Sequence, residues 1–114
     1  MIIVIKANTE RELNRLVTVT NLPDGVYLEL DDSSGSLVYQ VFTILGGKRE
    51  EKGNETDATL SLADAVSKFK IEYILVTATG VDVNELTASL VLANHNSIAY
   101  SVEEFVSHKV RPLN

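Results

Sequence analysis

"SLADAVSKFKIEYILVTATGVDVNEL" (residues 61–86) holds the transition on which the fold turns. Its centre, Ile71 to Ala78, is an almost unbroken apolar run, as expected of a strand covered on both faces. Before it, Leu62, Ala65, Val66 and Phe69 recur at helical spacing, which predicts a helix over 62–70. After Gly80, Val83, Leu86, Leu90 and Ala93 do the same and predict a helix over 83–94. A buried strand between two one-sided helices is the signature of a parallel α/β unit.

Working outward, helix starts of one kind recur. Thr9 is followed by Glu12, Ser61 by Asp64, Asp82 by Glu85, and Ser101 by Glu104. Each pair suits the N-cap and N3 positions, where side-chain oxygens satisfy orphan N–H groups. Val81 with Leu86, and Tyr100 with Phe105, add hydrophobic staples to two of these starts. Two further helices follow, over 10–17 (Leu13, Leu16, Val17) and 102–110 (Val102, Phe105, Val106, Val110).

Ile2 to Ile5 reads as a buried opening strand. Val26, Leu28 and Leu30 alternate with Tyr27 and Glu29, and Leu37 to Leu45 is a second β-rich run. The turn-forming Asp31-Asp32-Ser33-Ser34-Gly35-Ser36 between them predicts a β-hairpin. Ser97 to Tyr100 is a short fifth strand. Residues 46–57, GGKREEKGNETD, contain no apolar residue and three glycines, and read as a long mobile loop. The resulting order is β-α-β-β-loop-α-β-α-β-α. It predicts one α/β domain over residues 1–114. Its mixed five-stranded sheet, an antiparallel hairpin plus parallel strands, carries helices on both faces in three layers.

Composition narrows the function classes. The 114 residues include no cysteine, which removes thiol catalysis, disulfide frameworks and zinc fingers. The net charge of −6, without a basic patch, argues against nucleic acid and against an anionic membrane surface as partners. No stretch approaches the ~20 apolar residues of a membrane span. The apolar start before Lys6 is too short for a secretory signal, so a cytoplasmic protein is expected. Asn54-Glu55-Thr56 is then a chance sequon.

The pattern resembles the dinitrogenase iron–molybdenum cofactor biosynthesis accessory family, which has a ribonuclease H-like fold. "MIIVIKA" (1–7) looks like its opening strand, and "VYLELDDSSGSLVYQVF" (26–42) like its hairpin. The polar stretch 46–57 occupies the place of the family's Gly-rich loop. "SLADAVSKFKIEYILVTATG" (61–80) looks like its helix, strand and glycine turn, and "SVEEFVSHKV" (101–110) like its closing helix. Val102-Glu103-Glu104 is the closest literal match to that helix's Gly-Thr-Val-Glu-Glu-like start. The resemblance implies a non-enzymatic accessory protein, with an iron–molybdenum-type cluster as cofactor only where the likeness extends to function. The chain departs from the family between its first two strands, where TERELNRLVTVTNLPDG (9–25) has no histidine. Of the family's Gly-x-Gly-like turn only Gly80 remains, so none of its cofactor-binding residues carries over.

Candidate chemistry is sparse. The turn "TATGVDVNEL" (77–86) lies where an α/β protein holds ligands. A phosphate there would face the carboxylates of Asp82 and Glu85, which already serve the helix start. A cation or neutral polar ligand fits better, with Asn8, Thr77, Thr79, Gly80 and Asp82 as contacts. The opening strand has no carboxylate for two-metal hydrolysis. Glu72 stands at the wrong end of its strand, and Asp31 and Asp32 lie in a turn. His95 and His108 fall near helix C-termini, where positive charge is favourable, and are too far apart for a local metal motif. No nucleophile elbow and no aromatic base-stacking platform are present. The expectation is therefore a non-enzymatic binding protein with an unidentified small-molecule ligand and no catalytic or metal residues. The alternative is a structural or assembly module acting through homo-oligomerisation or a protein partner.

Overall fold

The computed structural model describes residues 1–12, 14, 22–32, 35, 38–56, 61–78 and 80–109. Its elements are β1 (Ile2–Lys6), β2 (Gly25–Asp31), β3 (Val38–Leu45), β4 (Lys48–Thr56), α1 (Leu62–Phe69), β5 (Tyr73–Val76), α2 (Val83–Leu92), β6 (Ser97–Ser101) and α3 (Val102–Lys109). Residues 10–12 and 14 are also helical, and the rest of the helix expected over 10–17 lies outside the described residues. No described helix is long and apolar enough to cross a membrane.

The sheet has six strands in the order β4-β3-β2-β5-β1-β6, one more than the five expected. β1, β2, β5 and β6 run parallel, while β2, β3 and β4 form an antiparallel meander. The added strand is the stretch expected to be a loop. Lys48–Thr56 pairs with all of β3, from Leu45↔Lys48 to Val38↔Thr56, with a bulge where Lys52 has no partner. Gly46 (φ 59°) and Gly47 (φ 78°) make the tight turn before it. Two successive positive-φ residues match the right-handed twist of a two-residue hairpin, and glycine adopts them without strain. Polar composition suggested a loop because an edge strand hydrogen-bonds on one side only and need not carry an apolar stripe.

Alternation along the strands builds a core on each face of the sheet. Val4, Leu28, Leu30, Val41, Ile74 and Val76 face α1 and α2, where Val66, Leu86 and Leu90 complete one cluster. Ile5, Tyr27, Phe42 and Leu75 face the other way and meet Val102 and Phe105 of α3. The molecule is thus the expected α/β three-layer arrangement, with helices on both faces. In the second cluster the Tyr27 ring stacks between Phe42 (centroids 5.1 Å) and Tyr73 (4.5 Å). Its hydroxyl donates to the Pro23 carbonyl, and burial pushes the phenol pKa well above its ordinary value.

The predicted caps form. The Asp82 carboxylate accepts the N–H groups of Asn84 (2.9 Å) and Glu85 (3.4 Å). Ser61 Oγ accepts from Asp64 N (3.2 Å). Ser101 and Glu104 make a reciprocal capping box, at 3.1 and 2.8 Å. Both staple pairs sit within single core clusters, Val81 with Leu86 and Tyr100 with Phe105. α2 ends as His95 N donates to Leu90 O (2.8 Å) and Asn94 N to Val91 O (2.9 Å), around Asn94 at φ 67°. This is the Schellman pattern, with asparagine in the left-handed position.

Candidate functional site

The order of the strands creates a crevice. β1 and β5 are adjacent and parallel, but their outgoing connections diverge. From β5 the chain enters α2, on the face of the first core cluster. From β1 it enters the turn of helix at 10–12, where Glu12 reaches the start of α3 on the other face. Where adjacent parallel strands send their connections to opposite faces, a cleft opens at their carboxyl ends. A cavity of about 550 Å³ lies there, lined by Lys6, Ala7, Asn8, Thr9, Glu10, Thr77 and Val81.

Each wall has a local cause. Thr9 Oγ1 accepts from Glu12 N (3.1 Å), as its N-cap role predicts. The Glu12 carboxylate does not close back on Thr9. One oxygen accepts from Asn8 N (3.1 Å) and the other from Glu103 N (3.2 Å), tying the loop after β1 to the start of α3. Thr77 Oγ1 donates to the Leu30 carbonyl (2.8 Å), which fixes its side chain at the wall of the cleft. Lys6, the last residue of β1, points its ammonium across the cleft floor. It donates to the carbonyls of Ala78 (2.9 Å) and Val81 (3.2 Å), holding the strand-to-helix turn in place. An ammonium has three donors, so one remains, and no described carboxylate pairs with it.

Behind Thr77 lies a second charged group. Glu29 pairs with Arg49 (3.4 Å), and its other oxygen lies 3.4 Å from the Thr77 hydroxyl. Burial raises the Glu29 pKa against the lowering effect of Arg49. Arg49 also binds Glu51 and lies 3.7 Å above the Phe42 ring. A depression of about 610 Å³ at the turn end of the meander includes Arg49 and Lys52. These cations are already bound to Glu29, Glu51 and Glu50, whereas Lys6 has no such carboxylate partner among the described residues.

The residues named from sequence are divided by this geometry. Asn8 and Thr77 share the cleft. Gly80 and Asp82 line a shallower depression of about 280 Å³ beside Leu62, Glu85 and Ser89, on the face of α1 and α2. Asp82 is therefore a cap and not a wall of the cleft, because its carboxylate is turned into its own helix. Thr79 lies outside the described residues. The described part of the stretch expected as a loop, residues 46–56, is a turn and a strand and does not line the cleft. Its glycine turn is at the opposite end of the sheet, where Gly46 N donates to Asp24 (3.0 Å).

Lys6, Thr9 and Glu10 were missed from sequence. The signal was present in Lys6, a cation ending the run Ile2 to Ile5 inside a core strand. His95 follows α2 as expected, and its Nε2 lies 3.1 Å from Ser67 Oγ of α1. The side chain of residue 108 lies outside the described ones. Among the described residues no three His, Asp or Glu side chains converge as a metal site would require. No family model, curated protein or solved structure matches this chain.

Proposed function

We infer that this chain is a non-enzymatic binding or accessory protein that holds a small polar ligand in the crevice between β1 and β5. One observation carries the reading: a partly buried lysine, with only two acceptors among the described residues, faces a cleft at the carboxyl ends of parallel strands. The chemistry of the lining favours a ligand with an anionic or strongly accepting group for Lys6. Glu10 and the Thr77 oxygen suit a donor on the same molecule.

The likeness to the iron–molybdenum cofactor accessory family, with its ribonuclease H-like fold, stands as part of this proposal. The β2–β3 hairpin and the crossover-linked parallel strands are compatible with it at the level of the α/β class, while β4 stands where that family has its Gly-rich loop. The cleft does not fit the family's cluster. Iron–sulfur chemistry asks for thiolate or imidazole ligands, and the lining offers an amine, an amide, hydroxyls and one carboxylate. The accessory role therefore reads as carriage of a small polar molecule, in a cytoplasmic setting and without nucleic acid as partner.

The test is a backbone amide spectrum titrated with molybdate, inorganic phosphate and succinate in turn. Shifts clustered on residues 6–10 and 77–81, lost in Lys6→Met, support the crevice; uniform silence there removes it. Anaerobic expression with iron, molybdate and sulfide, followed by metal analysis, tests the cluster separately. A coloured, metal-loaded product would overturn the small-molecule reading. A second reading, an assembly module, is favoured by the exposed apolar side chains of Val91, Leu92 and Ile98.

A further inference from the structure

β6 is an edge strand with β1 as its only described neighbour. Its hydrogen-bonding phase follows from its register. Ile2 pairs with Ser97, and Ile2 N donates to Asn96 O at 2.8 Å, while Ile3 N turns the other way to Glu72 O. Backbone groups alternate sides along a strand. Residues 96, 98 and 100 therefore address β1, and Ser97, Ala99 and Ser101 direct their N–H and C=O groups outward. Ser101 N already donates to Glu104 at 2.8 Å, which ends the open edge.

The sequence of this edge is a palindrome of residue character, Ser97-Ile98-Ala99-Tyr100-Ser101. Antiparallel pairing of two copies about a two-fold axis at Ala99 sets Ala99 against Ala99, Ile98 against Tyr100, and Ser97 against Ser101. The phase is the required one. Ala99 meets its copy as a hydrogen-bonded pair, exchanging two bonds, and each Ser97 N–H finds the Ser101 carbonyl of the other copy. Ile98, 40% exposed, is then covered by the aromatic ring opposite, an aliphatic–aromatic cross-strand pair. The strand bears no charge, so a chain of net charge −6 can bring two copies together here without opposing like charges on the paired residues. Ala99 is small, as a residue facing itself across the axis must be.

We propose that β6 is a homodimerisation edge: two copies of this chain join antiparallel through Ser97–Ser101 and continue the sheet from six strands to twelve. The proposal deepens the assembly reading and is independent of the crevice. An isologous contact requires a self-complementary surface, and this strand is self-complementary in hydrogen bonding, size and polarity at once.

The test uses the full chain. Light scattering over a wide concentration range should show a monomer–dimer equilibrium. Ala99→Pro removes an outward N–H from each copy and leaves the bonds to β1 intact. It should weaken dimerisation by at least about tenfold. Where that variant fails to fold, Ala99→Glu sets two carboxylates opposite each other and should weaken it several-fold. The absence of cysteine allows a direct probe. Mild oxidation of Ala99→Cys should yield a covalent dimer, and Leu45→Cys, also exposed but on the far side of the sheet, should not. A strictly monomeric wild type overturns the proposal and, with it, the homo-oligomeric form of the assembly reading. A dimer that survives in folded Ala99→Pro and Ala99→Glu overturns β6 pairing alone. Neither outcome touches the crevice.

Discussion

The two edges of the sheet are finished in opposite ways. β4 carries five consecutive charges, Lys48 to Lys52, and a bulge at Lys52. Lys52 binds Glu50 at 3.2 Å, while Arg49 reaches over the strand to Glu29 and covers Phe42. Charge and irregularity of this kind keep an edge from pairing with another chain. β6 has five uncharged residues and a regular parallel register to β1. Both strands satisfy the same internal ladder requirement. The difference is what each shows to the outside: two strands with the same place in the ladder need not share a composition, because the outer side of an edge is free of the ladder's constraint.

The largest contrast between the two edges is expected at Phe42, the fully buried ring beneath Arg49. Phe42→Ala should cost about 3–5 kcal/mol in urea unfolding, through lost burial and the cavity left beside Tyr27. Ile98→Ala on the other edge should cost the monomer at most about 1 kcal/mol, because its side chain is already partly in water. Equal losses would mean that the β6 edge is anchored as firmly as the meander.

A smaller effect is expected at the β3–β4 turn. Replacing Gly46 and Gly47 together by alanine places two side chains in the left-handed region, at about 1–2 kcal/mol each. Hydrogen exchange should then accelerate along Lys48–Thr56 and stay unchanged in β6. Acceleration spread over the whole sheet would show that β4 is not an independently fraying edge.

The smallest effect sharpens the role of the Glu29–Arg49 pair. Burial raises the Glu29 pKa, so the fold favours the neutral acid and bears a cost once the carboxyl ionises. That cost grows as pH rises through the carboxylate range and is absent below it. Glu29→Gln should therefore gain stability relative to wild type between about pH 4 and pH 7, by urea midpoints at both. A relative loss over that interval would mean that the attraction of Arg49 outweighs the cost of burying the carboxylate.

Legibility followed the range of the interaction. The caps at Ser61, Asp82 and Ser101 were readable because capping closes within three residues. The β2–β3 hairpin and the two buried runs were readable for the same reason. Gly46-Gly47 carried a local signal for a hairpin, but the charged strand after it lacked the alternation by which strands are recognised. At the candidate site, Asn8 and Thr77 were legible as strand-end residues. Lys6 was not, because its partners are carbonyls more than seventy positions away.

Local pattern was enough to give the α/β class, the bounds of α1, α2 and α3 to within one or two residues, and the buried character of β1 and β5. Helix starts and periodicity are contracts between near neighbours, and this chain states them plainly. Long-range contacts placed β1 between β5 and β6, added 48–56 to the sheet, and set where the crevice opens. Those outcomes depend on which distant strand supplies a ladder of backbone groups. Backbone groups are the same in every residue, so local pattern alone cannot choose among them.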